Sequence, residues 1–290
     1  MTAIEKFREI SSLLKSYGIK EATKEAEIFI MHVLNISKTE LYSAMRKVSE
    51  EESCILHSLI ERRIKGEPIQ YIIGYVEFYG LRINVGKGVL IPRPETELLV
   101  EEAIREISKG KVSVYCQQGI EGFRLNILDL CTGSGCIALA LAWQFPDADV
   151  YGVDKSDIAI EYAMRNAIEN KIKNVYFLKG DLFEPVKNKK FDCIVSNPPY
   201  IKRSDVKDLQ KEIRDYEPID ALDGGEDGLD FYRRIFNGSP NFLNKDGFLM
   251  LEIGYNQADE IKEMAIKSGF KDINFRRDYS GIRRIFVGYK

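Results

Sequence analysis

An alternation of apolar, strand-like runs with helical segments constrains the fold of this 290-residue chain more than any other feature, and it begins near residue 126. Parallel strands joined by right-handed helical crossovers form a doubly wound sheet, whose ligands bind beyond the carboxyl ends of the strands. We therefore expect an α/β fold with a Rossmann-like, mostly parallel sheet. The predicted strands are residues 127–130, 150–153, 175–178, a run ending at Ser196, 248–253, 272–276 and 284–289, and the predicted helices are 136–144, 157–170, 228–237 and 257–267.

The residues before position 66 differ from this pattern, because their apolar side chains recur only at helical spacing. A helix is predicted over residues 50–65, with Ser49 as its N-cap and Glu52 completing a capping box. The residues of this helix expected to face inward are Ile55, Leu59 and Ile60. The first part of the chain is therefore predicted to be a small all-helical domain.

Short β-like runs at 75–79 and 81–85, punctuated by glycines, follow this helical part and predict a hairpin. A helix opened by Pro94 comes next, since proline is favoured in a first helical turn. Residues 110–124 are expected to form a variable excursion with a strand over 112–116. The predicted domains are a helical domain over residues 1–66, a β-hairpin linker over 67–93 and a catalytic domain over 94–290.

The composition argues against several functional classes. A net charge of −3 disfavours a surface built for nonspecific phosphate binding. The sequence has no apolar run of about 18 residues, and charged residues near the N-terminus interrupt any signal-peptide pattern, so we expect no membrane association. Five cysteines without a CxxC pair and only two histidines predict no metal site and a reducing, cytoplasmic setting.

A glycine-rich loop, Asp129-Leu-Cys-Thr-Gly-Ser-Gly135, follows the first strand of the alternating part and opens a helix. Its glycines allow close backbone approach to a ligand, and the helix N-terminus offers free N–H groups. Residues 133–138 also match the GxGxxA dinucleotide fingerprint. Asp154 ends the second strand, where a carboxylate suits a ribose diol. These two features leave NAD and S-adenosylmethionine both open as cofactors.

The tetrapeptide Asn197-Pro-Pro-Tyr200 directly follows the apolar run at 191–196. Its prolines fix the backbone and remove two N–H donors, while the Asn197 amide can donate and accept and Tyr200 offers an aromatic face. Such a site can hold a planar amino group, for which an NAD enzyme has no use. Asp129 would repel a pyrophosphate but suits a cationic amino-acid ligand. Both observations favour methyl transfer to nitrogen from S-adenosylmethionine.

The order of these motifs resembles the class I S-adenosylmethionine-dependent N-methyltransferases. More narrowly, GEPIQYIIG at 66–74 and IPRPETE at 91–97 resemble the HemK/PrmC family of peptide chain release factor glutamine N5-methyltransferases, and the resemblance covers essentially the whole chain. It implies methylation of the glutamine amide in the GGQ motif of class I release factors, with the helical domain as a docking surface for that protein. It also implies a methyltransferase domain over 94–290 that binds S-adenosylmethionine.

The site residues expected from the motifs and the resemblance fall into two groups. Those expected to bind the cofactor are Asp129, Cys131, Thr132, Gly133, Ser134, Gly135, Asp154, Asp181, Leu182 and Asn197. Those expected to bind substrate and act in catalysis are Asn197, Pro198, Pro199 and Tyr200. The chain departs from the family's usual pattern at Cys131, where glycine is usual, and at Leu182, where an aromatic is frequent and the neighbouring Phe183 is the alternative adenine contact.

Three functions remain open at the level of sequence. A release factor glutamine methyltransferase leads, acting as a monomer on a protein partner with no direct nucleic-acid substrate. A DNA or RNA base amino-group N-methyltransferase is the alternative, since bases also present a planar amine. A noncatalytic binding module on the same fold is the third. The roles of Arg93 and of the acidic loop at 220–227 are also open, between contact with a ligand or partner and a local structural role.

Overall fold

Residues 1–43, 46–109 and 124–290 are described in the computed structural model of this chain. They form two compact units, Met1–Tyr75 with Gln210–Tyr216 and Val76–Leu209 with Glu217–Lys290. The excursion predicted at 110–124 lies, apart from Arg124, outside the described residues, as does its predicted strand. Within the described part of the chain, no helix combines the length and apolarity needed to cross a membrane.

The first unit is helical, as the sequence predicts. Its helices are α1 (Ala3–Ser16), α2 (Ala22–Leu34), α3 (Lys38–Tyr42), α4 (Glu50–Ile64), α5 (Ile69–Ile73) and, from much later in the chain, α9 (Lys211–Tyr216). The predicted capping box of α4 is present, with the Glu52 amide donating to Ser49 Oγ at 3.1 Å. Ile69 and Ile72 join the core of this unit, so it continues past the predicted boundary at residue 66.

One prediction for α4 is wrong. Ile55 is 45% exposed, whereas Leu56 and Ile60 are buried. The inward face of α4 is set by Leu56, Ile60 and Arg63, which lie four and three residues apart. Ile55 is rotated by about 100° from Leu56 around the helix axis and therefore faces outward.

The second unit contains a seven-stranded, mostly parallel sheet and a separate two-stranded one. The two-stranded sheet consists of β1 (Tyr75–Phe78) and β2 (Leu81–Asn84), the predicted hairpin. The strands of the large sheet are β3 (Asn126–Leu130), β4 (Asp149–Asp154), β5 (Val175–Lys179), β6 (Phe191–Ser196), β7 (Leu243–Glu252), β8 (Lys271–Arg277) and β9 (Arg283–Tyr289). Their order is β5-β4-β3-β6-β7-β9-β8, with β9 antiparallel to both neighbours. The α/β class I arrangement predicted from the sequence is confirmed.

The helices of the second unit flank this sheet. They are α6 (Pro94–Lys109), α7 (Cys136–Gln144), α8 (Asp157–Glu169), α10 (Asp230–Phe242) and α11 (Ala258–Lys267). Every residue of α7 from Cys136 to Ala142 is buried, as expected of a helix that is apolar all round. Cys193 in β6 is also buried, so both it and Cys136 belong to the core.

The strand order reverses between β3 and β6, because the chain builds one half of the sheet outward from β3 and the other outward from β6. In doubly wound sheets, ligands bind in the crevice outside the carboxyl ends of the strands at this switch point. The loop that follows β3 and the tetrapeptide that follows β6 both lie at this point. The fold thus brings together two motifs that are more than 60 residues apart in sequence.

Candidate active site

A cavity of about 590 Å³ lies at the carboxyl ends of β3, β4, β5 and β6, within the second unit. This volume is typical of sites for ligands of drug or cofactor size. Of the predicted site residues, Cys131, Thr132, Gly133, Ser134, Asp154, Asp181, Leu182, Asn197 and Pro199 line it. Asp129, Gly135, Pro198 and Tyr200 are not among the lining residues. The remaining walls come mainly from residues 88–93, 155–159 and 218–221, with Phe231.

The loop after β3 turns sharply because three of its residues adopt left-handed backbone. These are Cys131 (φ 57°), Gly133 (φ 56°) and Gly135 (φ 82°). A side chain at Gly133 would meet no atom within 4 Å, so the backbone there is open to the cavity. Cys131, where the family usually has glycine, adopts a left-handed backbone conformation that glycine adopts without strain.

Asp129 lies beneath this loop and is fully buried. Its Oδ2 accepts hydrogen bonds from Thr132 Oγ1 at 2.5 Å and from the Ala138 amide at 3.2 Å. Burial raises the pKa of Asp129 to about 7, against the opposing hydrogen bond from Thr132. The carboxyl group thus fastens the loop to the first turn of α7, and a direct contact with a cationic ligand stays a prediction.

Asp154 connects two of the loops that line the cavity. Its Oδ2 accepts from the Gly133 amide and its Oδ1 from the Ser156 amide, both at 2.9 Å. Burial raises the pKa of Asp154, and these two backbone hydrogen bonds oppose the rise. Each carboxylate oxygen retains a second acceptor position, so the group can also accept from a pair of vicinal hydroxyls.

The loop after β5 contributes Asp181 and Leu182 to the cavity wall. Leu182 is buried and, like Cys131, has a positive φ, of 51°. The ring of Phe183 stacks on Phe242, with centroids 4.5 Å apart and planes inclined by 15°. Because this stacking engages Phe183 elsewhere, Leu182 is the residue of the pair that presents apolar surface to the cavity.

Asn197 and Pro199 of the tetrapeptide after β6 line the cavity, whereas Pro198 and Tyr200 do not. Asn197 Nδ2 donates to Thr96 Oγ1 at 3.1 Å, and Asn197 lines the cavity. The hydroxyl of Tyr200 donates to Glu252 Oε1 at 3.4 Å. Burial raises the pKa of Tyr200, and the neighbouring Glu252 carboxylate adds to the rise. Tyr200 is therefore a neutral side chain anchored at its hydroxyl end.

The acidic loop is tied to the chain that follows the tetrapeptide. The Ile201 amide donates to the Leu222 carbonyl at 2.9 Å, and the Gly224 amide donates back to the Ile201 carbonyl at 2.8 Å. A Cβ at Gly224 would lie 2.9 Å from the Pro199 carbonyl oxygen, so only glycine allows this approach. Asp223 also forms an ion pair with Arg203 at 2.8 Å. These contacts give the loop a local structural role, one of the two readings left open by the sequence.

Three residues beside the site were missed by sequence reasoning. Thr96 bonds to Asn197 and Glu252 bonds to Tyr200, and Glu217 forms an ion pair with the cavity-lining Arg93 at 2.5 Å. A signal existed for two of them. Thr96 lies inside the IPRPETE block, and Glu252 is a charged residue within the otherwise apolar run 248–253.

A parallel sheet of this order, with a glycine loop after β3 and an NPPY tetrapeptide after β6, defines a class I S-adenosylmethionine-dependent methyltransferase. The PrmC N-terminal domain model matches residues 5–74, and the methyltransferase small domain model matches residues 116–214. The chain belongs to the release factor glutamine methyltransferase family, and the predicted family and enzyme class are confirmed.

Two curated relatives carry this assignment. The release factor glutamine methyltransferase of Thermodesulfovibrio yellowstonii is 46% identical over 287 residues, covering 99% of this chain and 98% of its own. That of Geobacter sulfurreducens is 43% identical over 276 residues, covering 95% and 92%. Among solved structures, the catalytic domain of human METTL16 in complex with the MAT2A 3'UTR hairpin 6 aligns with a TM-score of 0.54 and 15% identity, covering 83% of this chain and 82% of that one. The last similarity concerns the fold alone.

Proposed function

We propose that this protein methylates the side-chain amide nitrogen, N5, of the glutamine in the GGQ motif of class I peptide chain release factors. The observation that carries the proposal is the Asn197 amide, held on the wall of the same cavity as the glycine loop and Asp154. A glutamine amide and an asparagine amide are complementary, since each offers a carbonyl acceptor and an N–H₂ donor. Full-length similarity to release factor glutamine methyltransferases supports this substrate.

The cavity residues suit S-adenosylmethionine, which supplies an electrophilic methyl group when bound. The open position at Gly133 leaves room for a ligand to lie directly against the backbone. In our proposal residues 131–135 hold the methionine part of the cofactor. Asp154 accepts from the ribose hydroxyls, Leu182 lies against the adenine, and Asp129 supports the loop from below.

The tetrapeptide's task is to make an amide nitrogen reactive. Its lone pair is delocalised, and full loss of that conjugation costs about 18–20 kcal/mol, the barrier to peptide rotation. In our proposal Asn197 Oδ1 and the Pro198 carbonyl accept the two N–H groups and so orient the nitrogen, while Pro199 fixes the backbone. Pro198 and Tyr200 do not line the cavity of the free protein, so we propose that the Pro198 carbonyl and the Tyr200 ring meet the amide only once the substrate is bound. Positioning of this kind lowers the barrier without a general base, because the proton can leave after the methyl group has arrived.

A base amino group in DNA or RNA is the competing acceptor, because it is also planar. The net charge of −3 counts against it. We further propose that the protein acts as a monomer in the cytoplasm, where release factors work, with no nucleic acid as direct substrate.

The test supplies radiolabelled S-adenosylmethionine and three acceptors to the purified protein. These are a bacterial release factor, the same factor with its GGQ glutamine changed to alanine, and unmethylated DNA with bulk RNA. We expect label only in the unaltered release factor. Label in nucleic acid alone would establish the competing function, and no label in any acceptor would contradict both.

Asn197→Ala tests the role of the tetrapeptide directly. We expect turnover to fall by about 100-fold or more, because the substrate nitrogen loses its orientation, while cofactor affinity changes little. Asn274→Ala is the matched control, since among the described residues the Asn274 side chain bonds only to the nearby Asp272 carbonyl in β8. Near-normal turnover of Asn197→Ala would contradict the proposed mechanism.

A further inference from the structure

A buried carboxylate bonds, directly or through one hydroxyl, to both ends of the tetrapeptide. Glu252, at the end of β7, is only 2% exposed. Its Oε2 accepts from Thr96 Oγ1 at 2.8 Å, and its Oε1 accepts from the Tyr200 hydroxyl at 3.4 Å. Thr96 Oγ1 in turn accepts from Asn197 Nδ2 at 3.1 Å. The Glu252 side chain is thus linked to Asn197 through Thr96 and is bonded directly to Tyr200.

The directions of the hydrogen bonds that link Glu252, Thr96 and Asn197 follow from the ionised form of Glu252. An ionised carboxylate can only accept, and a hydroxyl has one hydrogen to donate. Thr96 gives its hydrogen to Glu252, so its oxygen can meet Asn197 only as an acceptor. The two ends of an asparagine amide have nearly the same shape, and the hydrogen-bond network decides between them. Here the network directs the N–H₂ end to Thr96 and leaves the carbonyl end for the substrate.

Burial and the polar neighbours of Glu252 have opposite effects on its pKa. Burial raises the pKa of Glu252, while the hydrogen bond from Thr96 and the positive charge of Arg284 lower it. Arg284 also donates to the carbonyl of Ile253, the residue next in sequence to Glu252. Two hydroxyl donors and one nearby cation therefore offset part of the effect of burial, and the pKa of Glu252 stays above its usual value.

We propose that Thr96 and Glu252 are positioning residues that set the polarity of the Asn197 amide, so that it accepts from the substrate amide rather than donating to it. The inference rests on the proposed function, because a substrate that presents an N–H₂ group requires a hydrogen-bond acceptor, here the Asn197 carbonyl oxygen. Reversal of the Asn197 amide would set two N–H₂ groups against each other. Glu252 also holds the hydroxyl of Tyr200, which fixes the far end of the tetrapeptide.

Thr96→Val and Thr96→Ser form the first pair of test variants. Valine has nearly the shape of threonine but no hydroxyl, so Asn197 loses the partner that orients it. We expect kcat to fall by about 10- to 100-fold, with KM and cofactor Kd within about threefold of the parent values. Thr96→Ser keeps the hydroxyl and should retain kcat within about threefold. Equal kcat for the parent and Thr96→Val would overturn the inference, and so would a failure of Thr96→Ser to rescue.

A double-mutant cycle shows whether Thr96 acts through Asn197. Thr96→Val should cost nothing further in an Asn197→Ala background, because the residue that it orients is already absent. If multiple turnovers of that background are too slow to measure, single-turnover labelling with enzyme in excess over the release factor supplies the same comparison. A full additional loss in the double variant would show that Thr96 acts independently of Asn197.

Glu252→Gln tests the polarity itself. A glutamine at this position can donate to Thr96. The threonine hydroxyl is then free to donate to Asn197, and the Asn197 amide can flip so that its carbonyl and N–H₂ ends exchange places. We expect a loss of kcat similar to that of Thr96→Val, and a parent-like kcat for Glu252→Gln would contradict a role of the carboxylate in setting the amide. If the unaltered protein fails to label the release factor, the proposed function fails. If it labels and Thr96→Val matches it, only the polarity inference fails.

Discussion

Cys131 and Leu182, where the chain departs from its family's usual residues, both adopt the left-handed backbone that glycine prefers. A non-glycine residue there costs about 1–2 kcal/mol. The sequence predicted the loops and their positions after β3 and β5, because glycine and acidic residues mark them. It did not predict that cysteine and leucine would adopt this conformation, because their intrinsic preference opposes it and the surrounding core determines the outcome.

Asp129→Asn should change how stability depends on pH. The pKa of Asp129 is raised from 3.8 to about 7 by burial, so the folded protein retains a proton that the unfolded chain loses above pH 4. The parent protein should therefore lose stability relative to the variant as pH rises from about 4 to 7, by at most about 1.4 kcal/mol per pH unit. Urea unfolding of both proteins across that range measures the difference.

Thr132→Val supplies the companion measurement. The Thr132 hydroxyl donates to Asp129 and lowers its pKa, so its removal should extend the stability loss to higher pH. A free-energy difference between the parent and Asp129→Asn that stays constant from pH 4 to 7 would contradict the assigned protonation.

Elements of the parallel sheet were predicted well because central parallel strands are buried on both faces and read as continuous apolar runs. All six residues of β6 are buried, and its predicted end at Ser196 is confirmed. β7 was predicted to begin at residue 248 but begins at Leu243, which pairs with Phe191 ahead of a register shift. The extension was not predicted because residues 244–246 are polar, and a strand end beside a β-bulge does not show an apolar pattern.

Gly224→Ala should disturb the tetrapeptide through the loop that pairs with it. The new Cβ would lie 2.8 Å from Tyr200 Cα and 2.9 Å from the Pro199 carbonyl oxygen, so backbone must move. We expect kcat to fall by about tenfold or more, because small displacements at a positioned site are costly.

Gly288→Ala in β9 is the matched control for steric strain. Its Cβ would meet the Phe286 ring at 2.6 Å, away from the cavity, so stability should fall while the folded protein keeps its kcat. Equal kcat for the two variants, measured below their melting temperatures, would show that the loop does not hold the tetrapeptide in place.

At the scale of the whole molecule, the helical unit is discontinuous in sequence. Arg63 is 5% exposed and pairs with Glu25 at 2.6 Å and with Glu212 at 2.7 Å. Nothing in the local pattern of residues 210–216 signals that they belong with the first 75, since Arg63 and Glu212 are 149 residues apart. Thr96 and Glu252 were missed as a pair for the same reason. The hydrogen bond between them joins residues 156 positions apart in sequence. The motifs that were predicted are continuous in sequence and directly follow the ends of strands.

Arg63→Met should destabilise the helical unit strongly. It would leave Glu25, which is 8% exposed, as a buried charge without its partner, at a cost of about 3–5 kcal/mol. Lys267→Met removes the cation of an ion pair with Glu263 in which both side chains are exposed, and it should cost less than about 1 kcal/mol. Equal losses in urea unfolding of the two variants would show that the Arg63 network contributes no more than a surface pair.

Cys131 lines the cavity, and the protonation of its thiol has a consequence for self-alkylation. A methyl donor held beside a cysteine would modify the enzyme if that cysteine were ionised, because the thiolate is a far stronger nucleophile than an amide nitrogen. Burial raises the pKa of Cys131, and the carboxylates of Asp154 and Asp129 raise it further. Burial, with a contribution from the acidic residues that shape the loop, thus favours the protonated thiol, and a protonated thiol does not compete with the substrate amide for the methyl group.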